Sequence, residues 1–291
     1  MMYLLFTLGL SFMLVEKLWP ANALPKVRAW WPRVVFINVL NVALVTLIGA
    51  AWLKWVGLRS IFHLSRDWGD AGAGLTAYGV SCVVYYFWHR WRHTSQWLWR
   101  VCHQLHHSPR RMEVVMAFYK HPVEIFFNGI ISSLISYALL GCSVKAAALC
   151  SVLAGIAEFF YHWNIRTPVW LGYLIQRPES HRIHHERGRH TSNYADLPFL
   201  DMLFGTFRNS RKGEHVECGY EEPLEDCMDD MLAFRDVHEN AAAQVSPLHF
   251  LPTCIGCSKR WACHELRTTC RTSGTPTPAA PETQTRPQGA V

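Results

Sequence analysis

The stretch HQLHH at residues 103–107 is followed by a second stretch with the same histidine spacing, HRIHH at residues 181–185. A histidine pair in HRWRH, residues 89–93, precedes both. We call these segments, in chain order, histidine boxes one, two and three. Residues three and four apart share one face of a helix, so each box is expected to present its imidazoles in one direction. Eight imidazoles are more than one metal ion can use, and the boxes therefore predict two ions.

The histidines are concentrated in one part of the chain, since eleven of the 16 lie between His89 and His190. The boxes contain no cysteine, which argues against structural zinc and iron–sulfur clusters, whereas imidazole suits iron and zinc. Isolated histidines are usually ordinary core or surface residues. We interpret four of them in this way: His63, His215, His238 and His249.

The composition indicates a membrane protein. Half of the 291 residues are hydrophobic and only 17% are charged, below the usual quarter. Thirteen Trp and ten Tyr fit a chain that meets the membrane–water interface. The net charge of +6 is modest and no basic stretch alternates with stacking aromatics, which argues against nucleic-acid binding. Cysteines within apolar stretches are read as buried thiols, as on a reducing cytosolic face.

Five uncharged, mainly apolar stretches predict helices in or near the membrane. They are residues 1–15, Val34–Leu53, Ala71–Trp88, Ile125–Val144 and Ala146–Ala157. The first is either a membrane helix or the core of a signal peptide with ANA at residues 21–23 as its cleavage site, and the lack of a preceding basic segment favours the helix. The second, with 20 residues, matches the ~30 Å hydrocarbon core. The shorter last stretch is expected to fall short of a full span.

The order of these stretches places every box on one side of the membrane. LLGCSVK at residues 139–145 predicts a tight reversal, so the last two stretches form a hairpin that starts and returns on the side to which the third delivers His89. The reversal on the opposite side carries only Lys145, and the loop with Lys54, Arg59 and Arg66 weakens the asymmetry without reversing it. The basic residues on the side of the boxes are Lys17, Lys26, Arg28, Arg33, Arg90, Arg92, Arg100, Arg110 and Arg111. By the positive-inside rule, the boxes are expected to lie on the cytoplasmic face.

The predicted fold class is all-α: an integral membrane bundle of about four to five transmembrane or hairpin helices, with a cytosolic helical cap that holds a histidine-rich dimetal site. The acidic stretch EEPLEDCMDD after Arg208 is expected to cover the cytosolic part as a helix. We divide the chain into an N-terminal membrane hairpin (1–60), a catalytic domain (61–210), a polar extension (211–250) and a mostly disordered, cysteine-containing tail (251–291).

The three boxes, together with His121, Pro122 and Glu124 of an HP-E motif and the ending NYADLPFLDMLFGTF, resemble the fatty acid hydroxylase and sterol desaturase superfamily over roughly residues 10–210. This resemblance implies a membrane enzyme that uses two iron ions, O2 and externally supplied electrons to hydroxylate or desaturate a lipid. The metal ligands that it implies are His89, His93, His103, His106, His107, His162, His181, His184 and His185. Zinc can replace the iron in purified protein.

Three more residues are predicted to lie at or near the metal site. Glu158 stands where some relatives have a histidine, and three roles stay open for it: a metal ligand, a partner that orients an imidazole, or a helix-end charge. His121, in the HP-E motif, is expected beside the ligands rather than among them, although a histidine before proline is also common at helix starts. His190 is interpreted in the same way.

The sequence has no haem-attachment motif and no dinucleotide fingerprint, so a separate reductase or small electron carrier is the expected partner besides lipid and membrane. Hydroxylation, desaturation and ether cleavage share this set of residues, and we favour hydroxylation because it needs one C–H abstraction followed by rebound. Seven aromatic residues are candidate walls of the lipid site or, equally, interface anchors: Tyr85, Tyr86, Phe87, Trp88, Phe159, Phe160 and Trp163.

Two alternatives involve metal without oxidation. A divalent-ion transporter would place its ligands near the bilayer midplane in broken helices, whereas the boxes follow the ends of predicted helices, which favours an enzyme. An inactive scaffold would not need three complete boxes.

A separate cysteine group with one C-x-x-C pair could bind a soft ion, although its spacing fits no standard zinc finger: Cys254, Cys257, Cys263, His264 and Cys270.

Overall fold

The computed structural model describes residues 2–52, 60–211 and 216–238. Within these ranges there is no β-strand, and a single isolated bridge joins Glu186 to Cys218. The predicted all-helical membrane fold with its histidine-rich cluster is therefore confirmed. The predictions for the C-terminal cysteines and for the tail from residue 251 fall outside the described residues.

The described helices comprise five long elements and five short ones. They are α1 (Met2–Leu18), α2 (Trp30–Trp52), α3 (Leu64–Thr94), α4 (Gln96–Leu98), α5 (Gln104–His107), α6 (Pro122–Ser133), α7 (Val144–His162), α8 (Pro178–His184), α9 (Phe199–Leu203) and α10 (Met228–Leu232). Two π-helical segments, Trp99–His103 and Leu134–Leu139, join α4 to α5 and extend α6. Single turns of 3₁₀-helix occur at Val114–Met116, Val169–Tyr173 and Leu224–Asp226.

Three of the described helical segments are long and apolar enough to cross a membrane: Trp30–Gly49, Pro122–Leu139 and Val144–His162. Glycine- and tyrosine-rich α3 falls below this hydropathy. The last segment is longer than its apolar stretch, because Lys145 joins the first turn and the helix continues past Glu158. The expectation that this arm falls short of a span is therefore not met.

The reversal between α6 and α7 is the predicted tight turn. Gly141 has a φ of +63°, a left-handed conformation that suits glycine, and a Cβ there would lie 2.2 Å from the Phe62 carbonyl oxygen. Ser143 then begins α7 as its N-cap, because its hydroxyl accepts a hydrogen bond from the Ala146 N–H at 3.2 Å. The two arms consequently return to the same side, where the boxes lie.

Close contact between α3 and α7 holds the bundle together. A Cβ at Gly74 in α3 would lie 2.8 Å from the Ala146 carbonyl oxygen and 2.9 Å from Leu149 in α7. Small buried residues on α3, Ala73 and Ala77, continue this contact. Small residues at membrane helix interfaces let backbones approach closely, and van der Waals packing then stabilises the pair.

We expect Gly74→Ala to destabilise the protein by about 1–3 kcal/mol, because the added methyl meets backbone that cannot move aside easily. Thermal unfolding in detergent, followed by tryptophan fluorescence, measures the effect. Gly79→Ala in the same helix is the matched control, since a Cβ there meets nothing within 4 Å. Equal melting temperatures for the two variants would show that the α3–α7 contact is not tight.

The cap that carries the histidine boxes is bound to the base of α2 and to the acidic stretch. Arg33 donates a hydrogen bond to the Glu225 carbonyl oxygen at 2.7 Å and pairs with the Asp226 carboxylate at 3.1 Å. Arg110 of the cap pairs with the Glu225 carboxylate at 2.6 Å. The acidic stretch therefore covers the cap as predicted, although it does so as a 3₁₀ turn followed by the short α10.

Candidate metal centre

The clustered histidines form two groups whose ring nitrogens face one another. Within each group the possible ligand atoms all lie within 4.8 Å of one another, so each group could hold a metal ion. Cluster one comprises His89, His93, His103, His107 and His184, and cluster two comprises His106, His162, His181 and His185. These nine residues are the set that the sequence predicted as ligands, and the structure brings all of them together.

Each of boxes two and three contributes to both clusters. In box two, His103 and His107 belong to cluster one and His106 to cluster two. In box three, the corresponding i and i+4 residues belong to cluster two, and the i+3 residue, His184, belongs to cluster one. The repeated H-x-x-H-H spacing thus connects two clusters, whereas we had expected each box to face one direction.

Local structure places these rings at helix ends. Box one occupies the last turns of α3, and His162 is the last residue of α7. Before box two, the Trp99–His103 segment is wound as a π-helix, so that the Gln104 N–H bonds to the Trp99 carbonyl oxygen five residues back. Single π-helical turns inside α-helices are frequent at functional sites, and this one ends at His103, the first histidine of box two.

Backbone carbonyls fix the orientation of four rings. Because a carbonyl oxygen only accepts, Nδ1 of each of these rings must carry the hydrogen. The bonds run from His89 to Tyr194 (2.8 Å), His106 to Tyr119 (3.3 Å), His162 to Glu158 (2.8 Å) and His184 to Ser192 (2.7 Å). Nε2 of each of these rings is then the atom that can bind a metal.

The arrangement of the Nε2 atoms fits a cation between them. His106 and His162 approach each other to 3.3 Å through Nε2, although both rings carry their hydrogen on Nδ1. Two lone pairs at this distance repel each other unless a positive charge lies between them. Nε2 of His184 is buried and has no hydrogen-bond partner among the described residues. The nitrogen donors therefore fit metal ions in both clusters.

Burial keeps the rings of the cap histidines neutral. It lowers the pKa of His184 to about 3, and it lowers the pKa values of His103, His106, His107, His181 and His185 well below the ordinary value of 6.5. Loss of solvation of the charged form is the main cause in each case, and repulsion from neighbouring charged groups adds to it. Neutral imidazole is the form that binds metal, so the rings are ready for it at neutral pH.

A buried carboxylate orients His103. Glu124 in α6 accepts a hydrogen bond from His103 Nδ1 through Oε2 at 3.0 Å and pairs with the Arg92 guanidinium through Oε1. Both charged residues are buried, Glu124 completely. Glu124 was not among the predicted site residues, although its place in the HP-E motif was a usable signal. A carboxylate behind a metal-binding histidine fixes the ring and makes it a stronger ligand.

An elongated cavity of about 480 Å³ reaches the two clusters from within the membrane bundle. It lies between α2, α3, α6 and α7, and it extends from Tyr137 and Val144 near the hairpin reversal to the histidines at the opposite end. The lining of the histidine end includes members of both clusters: His89, His103, His106, His162 and His181. This shape allows a long apolar molecule to reach the clusters from the bilayer.

Comparison with known proteins agrees with this geometry. Residues 74–206 match the family model described as fatty acid hydroxylase, and this segment contains all nine clustered histidines. This matched stretch is a little under half of the 291 residues, and it is similar to the fatty acid hydroxylase family. The match begins at Gly74, so it covers the C-terminal part of the resemblance that the sequence suggested for residues 10–210.

Relatives of the hydroxylase domain modify lipids or lipid-derived molecules. The chain is 27% identical over 194 residues to the very-long-chain aldehyde decarbonylase GL1-8 of Oryza sativa subsp. indica, which covers 64% of this chain and 70% of the relative. It is 29% identical over 174 residues to alkylglycerol monooxygenase of Homo sapiens, an alignment that covers 58% of this chain and 37% of the relative. It is 26% identical over 161 residues to sphinganine C4-monooxygenase 1 of Arabidopsis thaliana, an alignment that covers 54% of this chain and 62% of the relative. No solved structure matches at comparable significance.

These matches make the chain a membrane-bound oxidoreductase with a lipid hydroxylase-type function. The family uses iron, and the histidine clusters are suitable for metal binding. The membrane is accordingly its environment and lipids are its class of substrate, as the sequence predicted.

Of the three additional candidates in the hydroxylase domain, two are close to the clusters. His190 donates a hydrogen bond from Nδ1 to the His184 carbonyl oxygen at 3.3 Å, and its ring centroid is 4.6 Å from that of His107. Glu158 lies outside both clusters; its carboxylate pairs with the Lys120 ammonium and is 3.7 Å from His162 Nδ1.

The third candidate, His121, is directed away from the clusters. It is the N-cap of α6, where its Nδ1 accepts a hydrogen bond from the Val123 N–H at 3.1 Å. Its Nε2 donates to the Leu232 carbonyl oxygen at 3.4 Å, and this bond links the start of α6 to the end of α10. This is the helix-start role that the sequence left open.

The predicted aromatic walls are mostly elsewhere. Among the seven candidates only Tyr85 lines the cavity. A helix presents only one face to a cavity, and on α3 that face is formed by residues three to seven apart, Tyr78, Tyr85, His89 and Arg92. Tyr86, on another side, packs against Tyr194 and Phe204 of the cap instead. For the other five aromatics, the alternative role as interface anchors stays open.

Metal-free hydroxylase domain is expected to lose stability as the pH falls below 6.5. The pKa of folded His184 is about 3 and its ordinary value is 6.5, so the unfolded chain binds the proton that the fold excludes. His184 alone then costs about 1.4 kcal/mol per pH unit between these two values, and the other cap histidines, whose pKa values burial also lowers, add to the loss. Unfolding of metal-depleted protein at pH 7.5, 6.5 and 5.5 measures the loss, and a melting temperature that stays constant over this range would contradict it.

Proposed function

We propose that the nine histidines hold two iron ions and that the protein uses O2 and externally supplied electrons to hydroxylate a lipid bound in the cavity. The observation that carries this proposal is the meeting of two all-histidine clusters with one end of a cavity that begins inside the membrane bundle. The α7 wall of that cavity, Val144–His162, has 19 residues and is about 28 Å long. A long acyl or alkyl chain fits this length.

The residues of the chain prepare this site for a difficult reaction. Unactivated C–H bonds resist acids, bases and nucleophiles, and a bound iron pair supplies the oxidising chemistry when O2 and electrons arrive. Burial keeps the imidazoles neutral. Carbonyls and Glu124 hold the Nδ1 hydrogens of five rings, so that their Nε2 atoms are free for metal: His89, His103, His106, His162 and His184. The apolar walls keep water out and position the lipid chain.

Hydroxylation is the reaction that we favour among the three that this site could support. Two of the relatives are named monooxygenases, for an alkylglycerol and for C4 of sphinganine. Insertion of one oxygen atom is their common chemistry. The decarbonylase relative shows that the same domain also occurs in proteins named for another reaction, so the product itself must be identified.

Electrons are proposed to come from a separate reductase or small carrier at the cytoplasmic face. Basic residues flank the boxes, and the positive-inside rule assigns this side to the cytoplasm. The clusters lie at helix ends rather than within broken helices at mid-membrane, which distinguishes them from the ion sites of transporters.

The test is a turnover experiment with labelled oxygen. Iron-loaded protein in nanodiscs, with a chemical or enzymatic reductant and a membrane lipid extract, is incubated under ¹⁸O2 and the lipids are analysed by mass spectrometry. A lipid product that carries one ¹⁸O atom supports hydroxylation. A product that has lost two hydrogens without gaining oxygen would replace hydroxylation by desaturation, and unchanged lipids with both clusters iron-loaded would refute the proposal. Zinc-loaded protein is the inactive control, because zinc does not change its redox state.

A further inference from the structure

The histidine end of the cavity contains charged groups that an alkyl chain does not need. Lys120, Glu158 and Asp196 line it together with Tyr161, whose ring centroid is 4.4 Å from that of His181. Buried charges are costly unless they are paired, so each of these groups calls for a partner. A charged group that has no partner within the protein is the one that can interact with a bound ligand.

The cations at this end are already neutralised within the protein. The Lys120 ammonium pairs with the Glu158 carboxylate, and the Arg92 guanidinium pairs with the Glu124 carboxylate. Lys120, Arg92 and Glu124 are almost completely buried in these pairs. An anionic group of a lipid would have to displace a carboxylate to gain either cation.

Asp196 is the remaining charged group. Its carboxylate has no ion-pair partner in the part of the chain that the structure describes. The Tyr161 hydroxyl is within hydrogen-bond reach of both Asp196 and Glu158, and its single proton can serve only one of them at a time. Burial, and next the negative charge of Glu158, raise the pKa of Asp196 to about 7, as expected for a carboxyl group that lacks a cation. The cavity therefore has spare hydrogen-bond acceptor capacity at this point.

The position of Asp196 in the cavity sets the orientation of a bound lipid. The rest of the lining runs along the apolar helices to Tyr137 and Val144 at the far end. A lipid from the leaflet nearest the clusters has its polar end at the level of the cap and its tail in the bundle. Its polar end would then lie beside Asp196, and the carbons next to that end would lie nearest the histidines.

We propose that Asp196 recognises the polar end of the substrate, and that this end is a hydrogen-bond donor without negative charge, a hydroxyl or an amine. The oxidised carbon is then close to the polar end rather than near the middle or the tip of the chain. Where Asp196 is ionised, above a pH of about 7, a free carboxylate at this position meets a like charge and is disfavoured. This inference rests on the proposed function, because it concerns the substrate of the same site.

The test compares matched single-chain lipids on the full-length, metal-loaded protein, kept free of oxygen so that no turnover occurs. The probes are hexadecan-1-ol, its methyl ether, hexadecylamine and hexadecanoate, each measured by displacement of a fluorescent lipid. We expect the alcohol to bind more tightly than the ether, which lacks the donor. Asp196→Asn is expected to weaken the amine about tenfold and to leave hexadecanoate unchanged or tighter.

Each dissociation constant for Asp196→Asn is divided by that for the wild type. The attraction of the metal ions for a carboxylate is present in both proteins and cancels in this ratio. Asp229→Asn, an exposed aspartate on α10, is the control and should behave as the wild type. An alcohol that binds no better than its ether, or an amine affinity that Asp196→Asn does not change, would overturn the inference. Labelled-oxygen turnover that persists in either case would leave the proposed function intact. Lack of iron binding would instead refute the proposed function, on which the inference rests.

Discussion

Replacing His106 by alanine is expected to release the metal of cluster two, and replacing His184 is expected to release that of cluster one. Each change removes one nitrogen from a set of four or five that lie within 4.8 Å of one another. Changes in groups that merely orient a ligand cost about 10–100-fold in metal affinity, and loss of a ligand should cost at least as much. Turnover is expected to disappear in both variants, because the proposed reaction needs both ions.

Metal analysis of the purified variants measures this result, with the content falling from two ions per chain towards one. His63→Gln is the control, since His63 is exposed and bonds only to Ser60 among the contacts found for its ring. Unchanged metal content in both variants would mean that the clusters are not the metal sites. Complete loss in either variant would mean that the two clusters bind their ions as one unit.

Removal of the Glu124 carboxylate should have the second largest effect. In Glu124→Ala, the buried Arg92 guanidinium loses its partner, and breaking one side of a buried pair costs about 3–5 kcal/mol. In Glu124→Gln, the shape is kept and an amide oxygen can still accept from His103 Nδ1. We expect the glutamine variant to fold and to bind metal in cluster one about 10–100-fold more weakly.

Competition with a chelator measures the affinity, and thermal unfolding in detergent measures the stability. Glu217→Gln, which removes an exposed carboxylate paired with Arg187, is the control for the loss of a charge. A glutamine variant with wild-type metal affinity would show that Glu124 serves only to neutralise Arg92. Normal stability in the alanine variant would contradict the buried pair itself.

The box histidines could be predicted from sequence because their spacing is local. Their division between two clusters could not be read in the same way, although helix geometry explains it afterwards. At 100° per residue, His106 and His107 lie about 60° to one side and 40° to the other side of His103. The pair therefore points in directions about 100° apart, and tertiary packing determines what each ring meets.

Residues that support the site from distant segments were beyond the reach of sequence patterns. The carbonyls of Tyr194 and Ser192 and the carboxylate of Asp196 approach the clusters only because the loop after box three folds back over them. Such contacts depend on the path of the chain rather than on residue type. Glu124 was different, since the HP-E motif marked it and only its partner, His103, was unknown.

The adjacent histidines of boxes two and three connect the two clusters through single peptide bonds. His106 and His107 serve different clusters, as do His184 and His185, and neighbouring Cα atoms are 3.8 Å apart. Two such peptide links limit how far apart the clusters can lie, even though His89, His93 and His162 reach them from α3 and α7. Substitutions elsewhere in the bundle can therefore change which lipid enters while the two clusters stay close together.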